Sequence, residues 1–137
     1  MRSTEIRTLL RRGPHPGRDT RRIHQLGRAL ARERLHLHER PARPRSGPDL
    51  LWDDAGQAYK VVTRTRAGDQ AAITLDTRLS TDADHLVAVF LERDSFRLIE
   101  MVRIPWPMVM WLGRVERDRV RLRWAEHSPA SNVAERL

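Results

Sequence analysis

A chain of 137 residues supports one domain with a single substantial core, not two. It has no cysteine, which excludes a disulfide scaffold, and no apolar run of about 18 residues, which excludes a membrane-spanning helix. The formal charge of +8 comes from 26 basic against 18 acidic residues, and all but one of the basic residues are arginine.

The charge is unevenly placed. Residues 1–48 hold 13 arginines against 4 acidic residues, whereas residues 49–137 hold 13 basic against 14 acidic. The whole excess therefore lies in the first third. Guanidinium forks match phosphate geometry, and a concentrated positive field draws polyanions from a distance. An arginine-loaded solvated surface has the same composition. The N-terminus lacks the apolar core of a secretory signal, so a cytoplasmic protein is expected.

Ser3 to Arg12 has the pattern of a short helix, capped by Ser3 with Ile6, Leu9 and Leu10 as its stripe. It stops at RRGPHPG, a hinge or arm. A second helix is expected from Asp19 or Thr20 to about Leu37, with Ile23, Leu26, Gly27, Leu30 and Ala31 inward and Arg21, Arg22, Arg28 and Arg32 on the wetter side. The segment PARPRSGP is a linker, too rich in proline for regular structure.

From Asp49 the period changes from helix to sheet. Leu50–Trp52 reads as a short strand, Asp53–Gly56 as a hairpin turn, and Tyr59–Arg66 as the return strand. Ala71–Leu75 is a third strand, and DHLVAVFL, the most apolar segment, is a central one. FRLIEMVRI follows as the next strand. IPWPMVMWLG then reads as a short helix that starts at a proline and ends at Gly113. Arg117–Trp124 sets arginines against Val120, Leu122 and Trp124, the pattern of a half-buried edge strand. The expected class is α+β: N-terminal helices, then a mixed sheet of about five strands with a late short helix. Residues 1–19 form a basic helix and flexible arm, 20–126 the domain, and 127–137 a loose tail.

Catalytic signatures are sparse. The chain has no HExxH spacing, no GxSxG elbow and no GxxxxGK loop. His15, His24, His36 and His38 read as surface histidines. Trp124 shares the apolar face of its strand, which expects core packing. The return strand YKVVTRTR sets Lys60, Val62, Arg64 and Arg66 on one face and Tyr59, Val61, Thr63 and Thr65 on the other. A metal-dependent nuclease needs carboxylates for Mg²⁺ and a lysine near the attacking water. Here Asp49 precedes a strand face bearing Lys60 and Val62.

In order and pattern, GPDLLWDDAGQAYKVVTRTR followed by ADHLVAVFLERDSFRLIEMVRIPWPMV resembles the PD-(D/E)xK restriction-endonuclease-like superfamily. The match spans about residues 20–112 and is nearest to small bacterial or phage proteins that carry a helix before this hairpin. The resemblance implies a restriction-endonuclease-like fold. It puts Asp49 at the metal-binding aspartate, Lys60 at the acid or glutamine, Val62 at the lysine, and Glu33 at the helix acid. Two defining positions thus carry the wrong chemistry, which implies a pseudonuclease. The candidate catalytic and metal residues are Asp49, Glu33 and Lys60, with Mg²⁺ needed only if cleavage survives.

Three functional expectations follow. The first is a non-catalytic protein that binds double-stranded DNA through Arg11, Arg12, Arg18, Arg21, Arg22, Arg28, Lys60, Arg64 and Arg66, without a cofactor and away from membranes. The second is a Mg²⁺-dependent endonuclease using Asp49 and Glu33. The third is a homodimeric or adaptor module that docks a protein partner on IPWPMVMWLG.

Overall fold

The computed structural model describes residues 20–40, 50–66, 68, 70–76 and 83–137. The expected helix at Ser3–Arg12, the arm with Arg11, Arg12 and Arg18, the PARPRSGP linker and Asp49 lie outside the described residues.

Helix α1 spans Thr20–Leu35. It buries Leu26, Gly27, Ala29 and Ala31, with Ile23, Leu30 and Leu35 packed beside them, so the apolar spacing seen in the sequence becomes its inner face. It ends two residues earlier than expected because His36 turns left-handed, with φ of 54°. The Leu37 N–H then donates to the Arg32 carbonyl at 3.0 Å, closing the helix as a Schellman turn with Leu37 buried. Arg32 and Arg34 in the last turn complement the helix dipole.

The strands follow as β1 (Leu50–Trp52), β2 (Ala58–Arg66), β3 (Ala71–Asp76), β4 (His85–Glu92) and β5 (Leu98–Pro105). Helix α2 (Trp106–Leu112) leads to β6 (Arg114–Glu116) and β7 (Arg119–Trp124), then to α3 (Pro129–Val133) and β8 (Glu135–Arg136). The α+β class holds, but the strands form two sheets. One is five-stranded and mixed, in the order β1-β2-β4-β5-β8, and the other is three-stranded, in the order β3-β7-β6. Within the larger sheet β2 and β4 run parallel, with Val61 beside Val87, and every other pair is antiparallel.

Three layers result. Leu26 and Ala31 of α1 meet Tyr59, Val61, Val87 and Val89 on one face of the large sheet. On its other face Val62, Leu86, Ala88 and Phe90 meet Ile73, Leu75, Val120, Leu122 and Trp124 of the small sheet, with Val109 of α2 and Ala130 of α3 closing the end. Helix α1 presses on the large sheet at Gly27, where a Cβ would stand 1.7 Å from Thr63 Oγ1. Only a glycine lets α1 lie this near β2.

Several expectations need correction. Strand β7 is the middle of the small sheet, not an edge, because β6 folds back onto it. Residues 127–137 are not loose: the Ser128 hydroxyl caps α3 by accepting from Ser131 N–H, and Leu137 N–H donates to the Met101 carbonyl at 2.9 Å. Strand β2 has no open face either: β1 and β4 flank its edges, and α1 and the small sheet pack on its two faces. Trp124 is 1 % exposed and packs on Phe90 at 5.2 Å between ring centroids, as its alternation predicts. Among the described residues no helix is long and apolar enough to cross a membrane.

Candidate nucleic-acid interface

Among the described residues, the positions that the nuclease resemblance singles out do not converge. Val62 is 5 % exposed, within the hydrocarbon layer between the two sheets. Lys60 is on the same side of β2 by strand alternation and is half-buried. Glu33 is exposed on α1, the layer that covers the opposite side of that sheet. Asp49 lies outside the described residues. Among the described residues no three His, Asp or Glu side chains gather where they could hold a metal ion.

The arginines expected to meet phosphate divide into engaged and open groups. Arg28 donates to Glu39 at 3.3 Å, and Arg32 shares the same carboxylate at 3.6 Å. Arg66 is only 8 % exposed: its Nη1 donates to Glu100 at 2.9 Å, and its guanidinium lies 4.8 Å from the Phe90 ring centroid. Arg64 donates to the Thr63 carbonyl at 2.9 Å and to the Thr74 carbonyl at 3.3 Å, so it stitches β2 to β3. Burial pushes its pKa down. These two side chains were expected on an outward strip; they serve instead as internal connectors. Arg21 is exposed and Arg22 half-buried in the first turn of α1.

A row of open arginines is on the outer face of the small sheet. Val120, Leu122 and Trp124 of β7 point into the core, so Arg119, Arg121 and Arg123 point out. Arg121 stands between Thr74 of β3 and Arg114 of β6, and Arg123 stands beside Ala72. The acids of this face gather at its other end, where Arg119 sits between Asp76 and Glu116 and where Arg114 pairs with Glu116 at 3.1 Å. Neither the Arg121 nor the Arg123 side chain has an ion-pair or hydrogen-bond partner among the described residues. Together with Arg114, Gln70, Ala71 and Ala72 they line a groove of about 640 Å³. The small residues Ala72 and Thr74 leave the guanidinium groups uncovered. The alternation in RVRLRW carried this signal, but it reads as an edge strand until β3 and β6 are placed on either side.

A second polar cluster sits on the α1 side of the large sheet, at the hairpin. The Asp53 carboxylate accepts from Gln57 N–H at 2.9 Å and from the Tyr59 hydroxyl at 2.8 Å. Burial pushes the Asp53 pKa up, but these bonds together outweigh it and hold the group below the ordinary aspartate value. Burial and the Asp53 bond push Tyr59 up. Arg103 reaches the Tyr59 hydroxyl at 3.4 Å and pairs with Glu135 at 3.0 Å, tying β8 to the hairpin. His85 stacks on Tyr59 at 4.8 Å between ring centroids, and its Nε2 lies 2.6 Å from the Gln57 side-chain oxygen. That oxygen can accept from Nε2, and the buried Nδ1 has no hydrogen-bond partner among the described residues. Burial, then the charge of Arg103, push the His85 pKa down. Every one of these contacts is internal, and the cluster acts as a clasp.

No protein-family model matches the chain, and no curated protein matches it. The reading of its function therefore rests on the placement of its own side chains.

Proposed function

We propose that this is a non-catalytic DNA-associated protein on a nuclease-like scaffold, gripping the phosphate backbone through arginine-bearing surfaces. The observation that carries the reading is the groove of Arg114, Arg121 and Arg123, in which two guanidinium groups stand without an acidic partner among the described residues. Guanidinium is always charged and presents a planar fork to phosphate oxygens. The surplus arginines of residues 1–48, including Arg11, Arg12, Arg18, Arg21 and Arg22, add a long-range field to this local grip. Such contacts position a protein on double-stranded DNA without reading its sequence.

The buried Val62 supports the loss of cleavage. A side chain in a hydrocarbon layer neither holds water nor moves a proton, and Glu33 and Lys60 belong to opposite sides of the large sheet. The endonuclease reading would need Mg²⁺ on Asp49 and Glu33. A second reading, as a homodimeric or adaptor module in the cytoplasm, draws on Trp111, Met110 and Val115, which are 81 %, 37 % and 56 % exposed.

The test is binding to a labelled duplex at low and moderate salt, with and without Mg²⁺, with the same samples run on a denaturing gel. Steep weakening with salt and intact strands are expected, because each neutralised phosphate releases counterions. Changing Arg121 and Arg123 together to alanine should reduce the log–log salt slope by about 2. Strands cut only with Mg²⁺, and no longer cut after Asp49→Asn, would establish the endonuclease instead. A constant mass of two chains with no DNA binding would establish the adaptor.

A further inference from the structure

We infer that the outer face of the small sheet takes an unpaired DNA strand, with Trp111 stacking on a base while Arg121 and Arg123 hold flanking phosphates; this rests on the DNA-binding reading above. The indole is the starting observation. Trp124 is 1 % exposed and Trp52 and Trp106 are half-buried, whereas Trp111 is 81 % exposed. Helix α2 fulfils its packing role without it, since Val109 is buried and Trp106, Met108 and Leu112 lie against the core. The most exposed large apolar side chain among the described residues is therefore one the fold does not use.

Its location links it to the arginines. Gly113, two residues beyond Trp111, presses on the core-facing side of β7, where a Cβ would meet Val120 Cγ1 at 2.2 Å. The next residue, Arg114, pairs across the sheet with Arg121 and lines the same groove. The exposed indole is thus three residues before Arg114, where α2 leads into the edge strand β6 and so to the arginine groove.

The combination selects the form of nucleic acid. In a duplex the faces of the bases are already stacked on one another, so an indole finds an open π-face only by unstacking a base step, which costs a few kcal/mol. An unpaired strand presents a π-face with each phosphate, which is what aromatic platforms in positively charged grooves use, tolerant of sequence. A purely apolar protein partner would leave Arg121 and Arg123 to be desolvated without a counter-charge, which is costly.

The experiment titrates the full chain against a labelled oligothymidine strand and a blunt duplex of equal length at the same salt, with parallel measurement of solution mass. Tighter binding of the single strand is expected, with quenching of tryptophan fluorescence. Trp111→Ala should weaken the single strand about tenfold and abolish most of that quenching, while Trp111→Phe keeps most of the affinity. The blunt duplex should be indifferent to both changes. If Trp111→Ala binds single strand and duplex as the parent does, the stacking role is wrong and only the DNA reading stands. If the same change turns a dimer into a monomer with DNA affinity intact, the indole belongs to a protein contact. If neither nucleic acid binds at low salt, the DNA reading itself falls.

Discussion

Arginine is abundant on both sides of this molecule, yet the two sides use it in different ways. On the α1 side and within β2 four guanidinium groups are tied down: Arg28 and Arg32 share Glu39, Arg66 is held by Glu100, and Arg64 by two backbone carbonyls. On the outer face of the small sheet Arg121 and Arg123 have no such partner among the described residues. Pairing, not number, distinguishes these two groups among the described residues. A count of charges measures the field at a distance; only the pairing decides what a ligand can grasp.

The contrast can be broken most strongly at Arg66. Replacing it with alanine strands the partly buried Glu100 carboxylate and uncovers Phe90, so a loss of about 3 kcal/mol in urea unfolding is expected. That value is at the low end for a buried pair because Arg136 remains 3.8 Å from Glu100. The double change of Arg121 and Arg123 to alanine should move stability by less than about 0.5 kcal/mol. Equal losses in the two variants would erase the distinction between structural and open arginines.

A smaller effect is expected where the closed side is sealed. Gly27→Ala gains about 1 kcal/mol in helix propensity but drives a methyl group into Thr63, and the clash should prevail by about 2 kcal/mol. Adding Thr63→Ala should recover part of this, because Oγ1 is the nearest obstructing atom and has no hydrogen-bond partner of its own. A stabilised Gly27→Ala protein would mean that α1 does not lie this close to β2.

The mildest effect is a dependence on pH confined to the closed side. The folded-state pKa of His85 is pushed below its ordinary value of 6.5. The unfolded chain then takes up that proton first, so the stability is fully present above about pH 6.5 and declines as pH falls through the folded pKa. Asp84, Asp53 and Glu135 oppose the shift, while Arg103 adds to it. Thermal melts at pH 7.5 and pH 5 should show a drop in the parent protein and a smaller one in His85→Asn. An equal drop in both would move the titration elsewhere.

Much of the fold was legible because its elements are periodic. The α1 stripe, the Leu50–Trp52 strand, the hairpin and the apolar β4 all fall where spacing put them. The partition into two sheets was not, because it depends on distant pairings such as Ile73 with Leu122 that no local pattern reports. The same gap misplaced the wet face. YKVVTRTR alternates like a half-exposed strand, but α1 covers one of its faces and the small sheet the other. Long arginine stems accept this by laying their heads over Phe90 or onto Thr74. Residues 129–136 carry a helix and a strand too short to show a period. For the site, the even-numbered row of β2 was legible and led to Val62, whereas the groove at Arg121 needed β3 and β6 on either side of β7.

The pairing of β3 with β7 also governs how the chain must be made. Strand β3 cannot find its partner until residues 119–124 have been synthesised, yet β2, β4 and β5 can associate before then. Through that interval Leu86, Ala88, Phe90, Val102 and Ile104 present one apolar wall with nothing of their own chain's small sheet to cover it. Non-local closure of this kind slows folding and lengthens the exposure to aggregation. A ribosome stalled before β7 would therefore hold a nascent chain that chaperones recognise, and release of the last strands would end that recognition in a single step.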